Sequence, residues 1–280
     1  MPMLGLKYAF PDPRNLKLSA YLPATLPAIP ASLPDYGATM PVAAAKWGPL
    51  GNNSVGNCVL AAQGHIIQQV TAANGCLVQP STDATIESYS ECTGYVRGDK
   101  STDRGTGMQA GLSYWRNKGF ITNVKQSSAI IDPITGGKSY TYTPYARRKC
   151  RAYIEVNSKD RDYMRAAYYL FGSLYCAAEL PKYVLDGGIF GTSVWDMKPV
   201  DGGIIGGHAF SVLWINDTGP KIMTWGKPVQ TTWVWWEKYV YNLGGAYAVQ
   251  LAEWTNADLF TPAGFNQQQL DADLAALKRV

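Results

Sequence analysis

Residues 51–62, GNNSVGNCVLAA, put a cysteine at the point where a loop rich in glycine and asparagine becomes a helix. Val59, Ala62, Ile66, Val70 and Ala73 follow at spacings of three and four and form one apolar helical face. Asn57 suits the N-cap, and Asn74-Gly75 suits the stop. A cysteine in the first turn of a helix feels the positive end of the helix dipole, which favours thiolate over thiol. Thiolate is the nucleophilic form, so Cys58 is placed for covalent catalysis. The competing reading is a small buried residue at a helix start, and the rest of the chain has to separate the two.

The composition narrows the classes. In a chain of 280 residues, 46% hydrophobic and only 16% charged content describes a packed protein and not a disordered one. Nine Trp and 18 Tyr suggest broad aromatic packing or a large contact surface. A net charge of +4 is too small to argue for nucleic acid. The one basic cluster, Arg147, Arg148, Lys149 and Arg151, reads as a solvated loop. No apolar run approaches the length of a membrane span, and the N-terminus lacks a secretory signal's basic and apolar regions, so the expectation is a cytoplasmically made protein. Cysteines 58, 76, 92, 150 and 176 are odd in number and hold no Cys-x-x-Cys pair, which is compatible with a free reactive thiol.

Along the chain, residues 1–45 form an arm with Pro11, Pro13, Pro23, Pro27, Pro30, Pro34 and Pro41, extended and liable to fray unless it lies along its own domain or a partner. After the Cys58 helix, Ser81 is placed to cap a second helix to about Cys92. A loop with Gly94, Gly98, Gly105 and Gly107 follows, then a helix bearing Met108, Leu112 and Trp115. Residues 120–150 read as irregular chain. Ser158 is placed to cap a helix with Met164, Tyr168 and Phe171, stopped by Gly172. Strands are expected over 173–180, 208–216, 221–225 and 246–252, a further helix over 232–241, and an amphipathic C-terminal helix with Leu270, Leu274 and Leu277. Helices first and strands afterwards indicate α+β with two subdomains: a domain over 46–253, helical to about residue 172 and strand-rich beyond, with a C-terminal extension over 254–280.

Only two histidines are available as a base. His65 lies seven residues after Cys58 on the same helix, roughly 10 Å along its axis, so it reads as a packing residue. His208, after Gly206 and Gly207, starts an apolar strand where those glycines admit close approach of another backbone.

These residues, in this order, resemble the papain-like cysteine peptidases over roughly residues 33–252. The stretch LPDY at 33–36 resembles the start of the mature peptidase, and 51–62 resembles the family's Gln-Gly-x-Cys-Gly-x-Cys-Trp segment. Gly105 and Gly107 resemble its glycine strip for substrate backbone, and YTPYARRKC at 142–150 resembles the Tyr-Pro-Tyr…Cys segment. Gly207-His208-Ala209 resembles the base motif, and MTWG at 223–226 resembles Asn-Ser-Trp-Gly. The resemblance implies an antiparallel, β-rich C-terminal half facing a helical half across a cleft. It implies Cys58 as nucleophile, His208 as base, Trp225 as shield, and an oxyanion hole from the Cys58 N–H and Asn52, where the family has Gln. Asn is one methylene shorter and serves only if the loop moves inward; losing such a donor costs on the order of 3 kcal/mol in the transition state. Met223 stands at the family's histidine-orienting Asn and cannot accept an imidazole N–H usefully. Thr224 takes that place if the register shifts by one. The family's long helical pro-segment is not expected in the Pro-rich residues before Leu33, and the family's disulfide maps on Cys92 and Cys150.

Two functions follow. One is a thiol hydrolase cleaving peptide or amide bonds of a peptide or protein substrate through a Cys58 acyl-enzyme. The other is a weak or inactive papain-like fold used for binding or structure. The motif order also resembles uncharacterised papain-like proteins of bacterial and phage genomes, which implies a virion component assembled through the arm and the C-terminal helix. No zinc-ligand spacing, Gly-x-Ser-x-Gly elbow or dinucleotide loop occurs, so no metal and no cofactor are expected.

Overall fold

The computed structural model describes residues 3–22, 28–39, 47–131, 134, 138–185, 194–255, 261–266 and 268–277. Three helices come first: α1 (Cys58–Ala73), α2 (Thr82–Thr93) and α3 (Met108–Asn117). Next come β1 (Phe120–Gln126), β2 (Ile130–Ile131), β3 (Lys138–Ser139), β4 (Tyr142–Arg148) and β5 (Cys150–Glu155), then α4 (Arg161–Phe171). The remainder is β6 (Leu174–Pro181), β7 (Val194–Trp195), β8 (Ile204–Ile215), β9 (Pro220–Thr224), β10 (Lys227–Thr231), α5 (Trp233–Tyr239), β11 (Ala246–Leu251) and α6 (Gln268–Leu277). The class is α+β.

Local chemistry explains most helix ends. Ser81 Oγ accepts the Ala84 N–H at 3.1 Å, and Thr232 Oγ1 accepts that of Trp235 at 3.2 Å. Gly94 and Gly172 close α2 and α4 at φ +79° and +75°, where only glycine sits without strain. Two expected caps fail. Asp160 caps α4, accepting from Asp162 and Tyr163, while the Ser158 hydroxyl donates to Tyr241 O. Asn57 occupies the N-cap of α1, but its amide turns back to Leu50 O.

The main sheet runs β5-β11-β6-β8-β9-β10-β7, antiparallel except for β10 beside β7. Its two faces separate the molecule by strand parity. Leu174, Cys176, Ala178 and Leu180 of β6 join Phe210 and Val212 of β8 in a core with α4 and α5. Tyr175 and Ala177 face the other way and join Ala209 and Tyr247 in the core of α1, α2 and α3. The apolar face of α1 is only part of its burial: every residue from Cys58 to Thr71 is buried, including Gln63, His65, Gln68 and Gln69. His65, Gln68 and Gln69 bond to backbone, as where Gln69 Nε2 donates to Gly172 O at 2.8 Å and Leu213 O at 3.1 Å.

The expectation of irregular chain over 120–150 is corrected. β1 and β4 pair antiparallel, Phe120 with Arg148 through Gln126 with Tyr142. Pro144 is tolerated because β4 pairs with one partner, leaving its other edge without a ladder to supply. The basic cluster is likewise no loop. Arg147 and Arg148 lie in β4 and pair with Glu91 and Glu253, and Arg151 lies in β5, 3.7 Å from Asp271. The family's Cys92–Cys150 bridge is absent, and all five cysteines are free. At the C-terminus Leu270 and Phe265 are buried in the sheet core; the side chains of Leu274 and Leu277 lie outside the described residues, as do Pro23, Pro27 and Pro41. Among the described residues no helix is long and apolar enough to cross a membrane, and no cluster of three His, Cys, Asp or Glu side chains is set to hold a metal.

Candidate active site

The loop ahead of Cys58 is wound tightly. Gly48, Leu50 and Gly51 all take positive φ, at +61°, +50° and +87°. For Leu50 this conformation costs on the order of 1 kcal/mol, offset by its buried side chain and by its carbonyl, which accepts the Asn57 amide at 2.9 Å. The loop brings Asn52, 1% exposed, to the cleft, where its Nδ2 donates to Val55 O at 3.1 Å and to Met3 O at 3.2 Å.

On the opposite wall, His208 Nε2 lies 2.7 Å from Thr224 Oγ1, and Nδ1 is buried without a hydrogen-bond partner. Pleat decides between Met223 and Thr224. Met223 pairs with Ser211 across β8 and β9, and its side chain is buried with Trp47 and Leu213. Thr224, next along the strand, presents the other face, towards His208. Trp225 and Gly226 form the two-residue loop between Thr224 and Lys227, with φ +47° and +78°. Glycine suits such a turn. Trp225 pays strain there, and its indole stacks on His208 with ring centroids 4.0 Å apart at 18°.

The cleft is filled by the chain's own arm. Residues 3–8 run through it as an added strand: Met3 N–H donates to Asn52 O at 3.1 Å, Thr106 N–H to Gly5 O at 2.9 Å, and Lys7 N–H to Thr106 O at 2.9 Å. Leu6 N–H reaches Gly207 O at 3.4 Å, so Leu6 is parallel to Thr106 and antiparallel to Gly207. Met3 O also accepts the Trp225 indole N–H at 3.3 Å. Close approach is possible only through glycine. A methyl group on Gly5 would lie 1.7 Å from Gly56 O, and one on Gly105 2.1 Å from Gly5 O. Leu6 packs into the helical core at a site lined by Met108, Ala177 and Tyr241, and Tyr8 stacks on Tyr241 at 4.3 Å.

Burial sets the protonation of the site. The Cys58 thiol, 1% exposed, is pushed up to about 11 by burial, with backbone groups, those of Ala209 and Gly5 foremost, opposing the shift. Burial lowers His208 to about 3, with a smaller contribution from His65. Both groups are neutral across ordinary pH. The expected thiolate-favouring dipole is therefore outweighed, because water is excluded from the sulfur.

Cys58, Asn52, Trp225 and the strand of His208 thus surround one segment of the arm. Gly105 and Gly107 flank it, but the backbone pairing falls on Thr106 between them. His65 stays out, its Nε2 2.9 Å from Gly48 O. The sequence reading missed Gly5, Leu6 and Tyr241. A glycine between Leu4 and Leu6 in a Pro-rich arm is the only trace the sequence offers of a segment threaded between walls.

No protein-family model matches the sequence, and no curated protein does. Among solved structures the chain is similar to xylellain, a cysteine protease from Xylella fastidiosa, with a TM-score of 0.62 at 13% identity over 90% of this chain and 97% of that one. It is also similar to procathepsin B S9 from Trypanosoma congolense, with a TM-score of 0.52 at 14% identity over 90% of this chain and 87% of that one.

Proposed function

We propose that this chain, whose fold is that of the papain-like cysteine proteases, is a thiol hydrolase of peptide bonds held latent by residues 3–8 of its arm. One observation carries the reading: the His208 ring is tied at Nε2 to Thr224 and unbonded at Nδ1, and its strand neighbour Ala209 is buried in the same core as Cys58. With the proton on Nε2 donated to Thr224 Oγ1, Nδ1 keeps the lone pair a general base needs. The hydrogen bond from Asn52 Nδ2 to Met3 O supports the reading, since a substrate carbonyl oxygen would take the place of Met3 O.

Once the arm leaves, His208 Nδ1 takes the Cys58 proton and the thiolate attacks the carbonyl carbon. The oxyanion is held by the Cys58 N–H and Asn52 Nδ2. The imidazolium then protonates the leaving amine as the C–N bond breaks. Water, deprotonated by Nδ1, splits the thioester, releasing the carboxylic acid and restoring the thiol. The substrate is an extended peptide gripped at Thr106 and Gly207, with an aliphatic side chain in the seat of Leu6.

A second reading, a binding protein with an idle Cys/His pair, is favoured by the neutral state of both groups in the closed chain. Iodoacetamide labelling from pH 4 to 9, with the modified residue located by mass spectrometry, separates the two. Slow labelling of the wild type and rapid labelling of Gly5→Ala at pH 5–6, abolished by adding His208→Ala, supports the hydrolase. An ordinary thiol profile in Gly5→Ala, indifferent to His208, supports the binding protein.

A further inference from the structure

Two polar residues connect the walls of the cleft without lying in it. Asp103 precedes the strip that holds Thr106, and its carboxylate accepts the Gly56 N–H on both oxygens, at 3.1 and 2.9 Å, and the Tyr89 hydroxyl at 2.7 Å. Tyr89, fully buried on α2, in turn accepts the Gly105 N–H at 2.8 Å. The chain Gly56 N–H, Asp103, Tyr89 O–H, Gly105 N–H therefore runs from the nucleophile loop to the strip. Gly56 lies two residues before Cys58, and Gly105 one residue before Thr106. Burial and the neighbouring carboxylate raise the Tyr89 phenol well above its ordinary range, so its proton stays in place as donor. The gap these groups span is narrow: Gly5 fits between Gly56 and Gly105 only because neither it nor Gly105 carries a side chain.

We propose that Asp103 and Tyr89 are positioning residues that fix the spacing of the two cleft walls, so that a backbone threaded between them meets Thr106 and the Cys58 loop at once. In the closed chain that backbone is the arm. For a substrate the role rests on the hydrolase reading above; for the arm it does not. Loss of the clamp loosens the arm while the sheet and helices keep their packing, because both hydrogen-bonded ends lie in loops. Asparagine at 103 keeps one acceptor oxygen in the place of the Oδ1 that takes both the Gly56 N–H and the Tyr89 O–H, and so preserves most of the connection.

The test is amide hydrogen exchange resolved by residue in the full chain, for wild type, Asp103→Ala, Tyr89→Phe and Asp103→Asn, with Cys58 alkylation measured alongside. Exchange at Leu6, Lys7 and Thr106 is expected to quicken by about tenfold or more in Asp103→Ala and Tyr89→Phe. Phe210 and Val249 in the sheet are expected to stay as in wild type, and Asp103→Asn to recover most of the protection. Unchanged arm amides, a parallel rise at Phe210 and Val249, or Asp103→Asn no better than Asp103→Ala would overturn the clamp. Alkylation that rises with arm exchange yet ignores His208→Ala would sink the hydrolase reading and leave the clamp standing.

Discussion

The two ends of the arm are held by different physics. Residues 3–8 are gripped chiefly through their backbone, by hydrogen bonds to Asn52, Thr106 and Gly207 at a place where Gly5 has no side chain to offer, with Leu6 and Tyr8 adding side-chain contacts. Residues 15–21 are held through side chains and one strand-edge bond. Leu18, 1% exposed, enters the sheet core; Lys17 pairs with Glu155; Tyr21 donates to Asp273 at 2.6 Å; and Leu16 O accepts the Glu155 N–H at 2.9 Å. The far end is an anchor, and the near end resembles a tethered ligand. Tethering makes the near end's binding intramolecular, so a few backbone bonds suffice to keep the cleft filled. It also means the near end can leave without unfolding the protein.

The largest expected effect breaks the near end alone. Gly5→Ala puts a methyl group against Gly56 O and expels the segment. Even a return of Cys58 from about 11 only to the ordinary 8.5 or so raises alkylation at pH 7 about 300-fold through the thiolate fraction, and pairing with His208 raises it further, with little change in Tm. Leu18→Ala attacks the anchor and should do the reverse, costing about 2–4 kcal/mol of stability by denaturant titration with a much smaller rise in alkylation. Similar alkylation for the two variants would show that the ends do not act separately.

Acid sharpens the same comparison. The folded chain holds His208 near about 3 and His65 near about 4, below the unfolded value of about 6.5. Their neutral forms stabilise the fold above pH 6.5, and that stability is lost as pH falls towards the folded values. The loss is about 2 kcal/mol per histidine at pH 5. Gly5→Ala should abolish the His208 share and leave that of His65, which urea midpoints at pH 5 and 7 will resolve. The smallest effect is Thr224→Val in the Gly5→Ala background: about a tenfold fall in Cys58 labelling at pH 5–6, from loss of the partner that holds the His208 tautomer.

Much of the frame was legible in the sequence because it is set locally. Ser81, Thr232, Gly94 and Gly172 announce helix ends through bonds and dihedrals within four residues. The continuous apolar run from Leu174 to Ala178 marks a strand buried on both faces. β1 and β4 were not legible, because Pro144 and the surrounding glycines read as breakers while the pairing that makes them strands joins residues from 16 apart (Gln126 with Tyr142) to 28 apart (Phe120 with Arg148). At the site, the order of Cys58, His208 and the Trp225-Gly226 turn was readable. Whether Met223 or Thr224 meets the imidazole was a question of register, decided by how β9 pairs with β8. The Ser158 and Asn57 caps failed for a related reason: distant partners, Tyr241 O and Leu50 O, claimed those side chains.

What the sequence by itself determined is the set of elements and the placing of a cysteine at the start of a buried helix, since caps, periodicity and turn residues act over a few positions. What only the tertiary structure decided is the state of that cysteine. The dipole at a helix start favours a thiolate, but the desolvation imposed by a core that includes Tyr175, Ala177 and Ala209, far along the chain, outweighs it. The balance between those two terms depends on whether water reaches the sulfur, which no local pattern encodes.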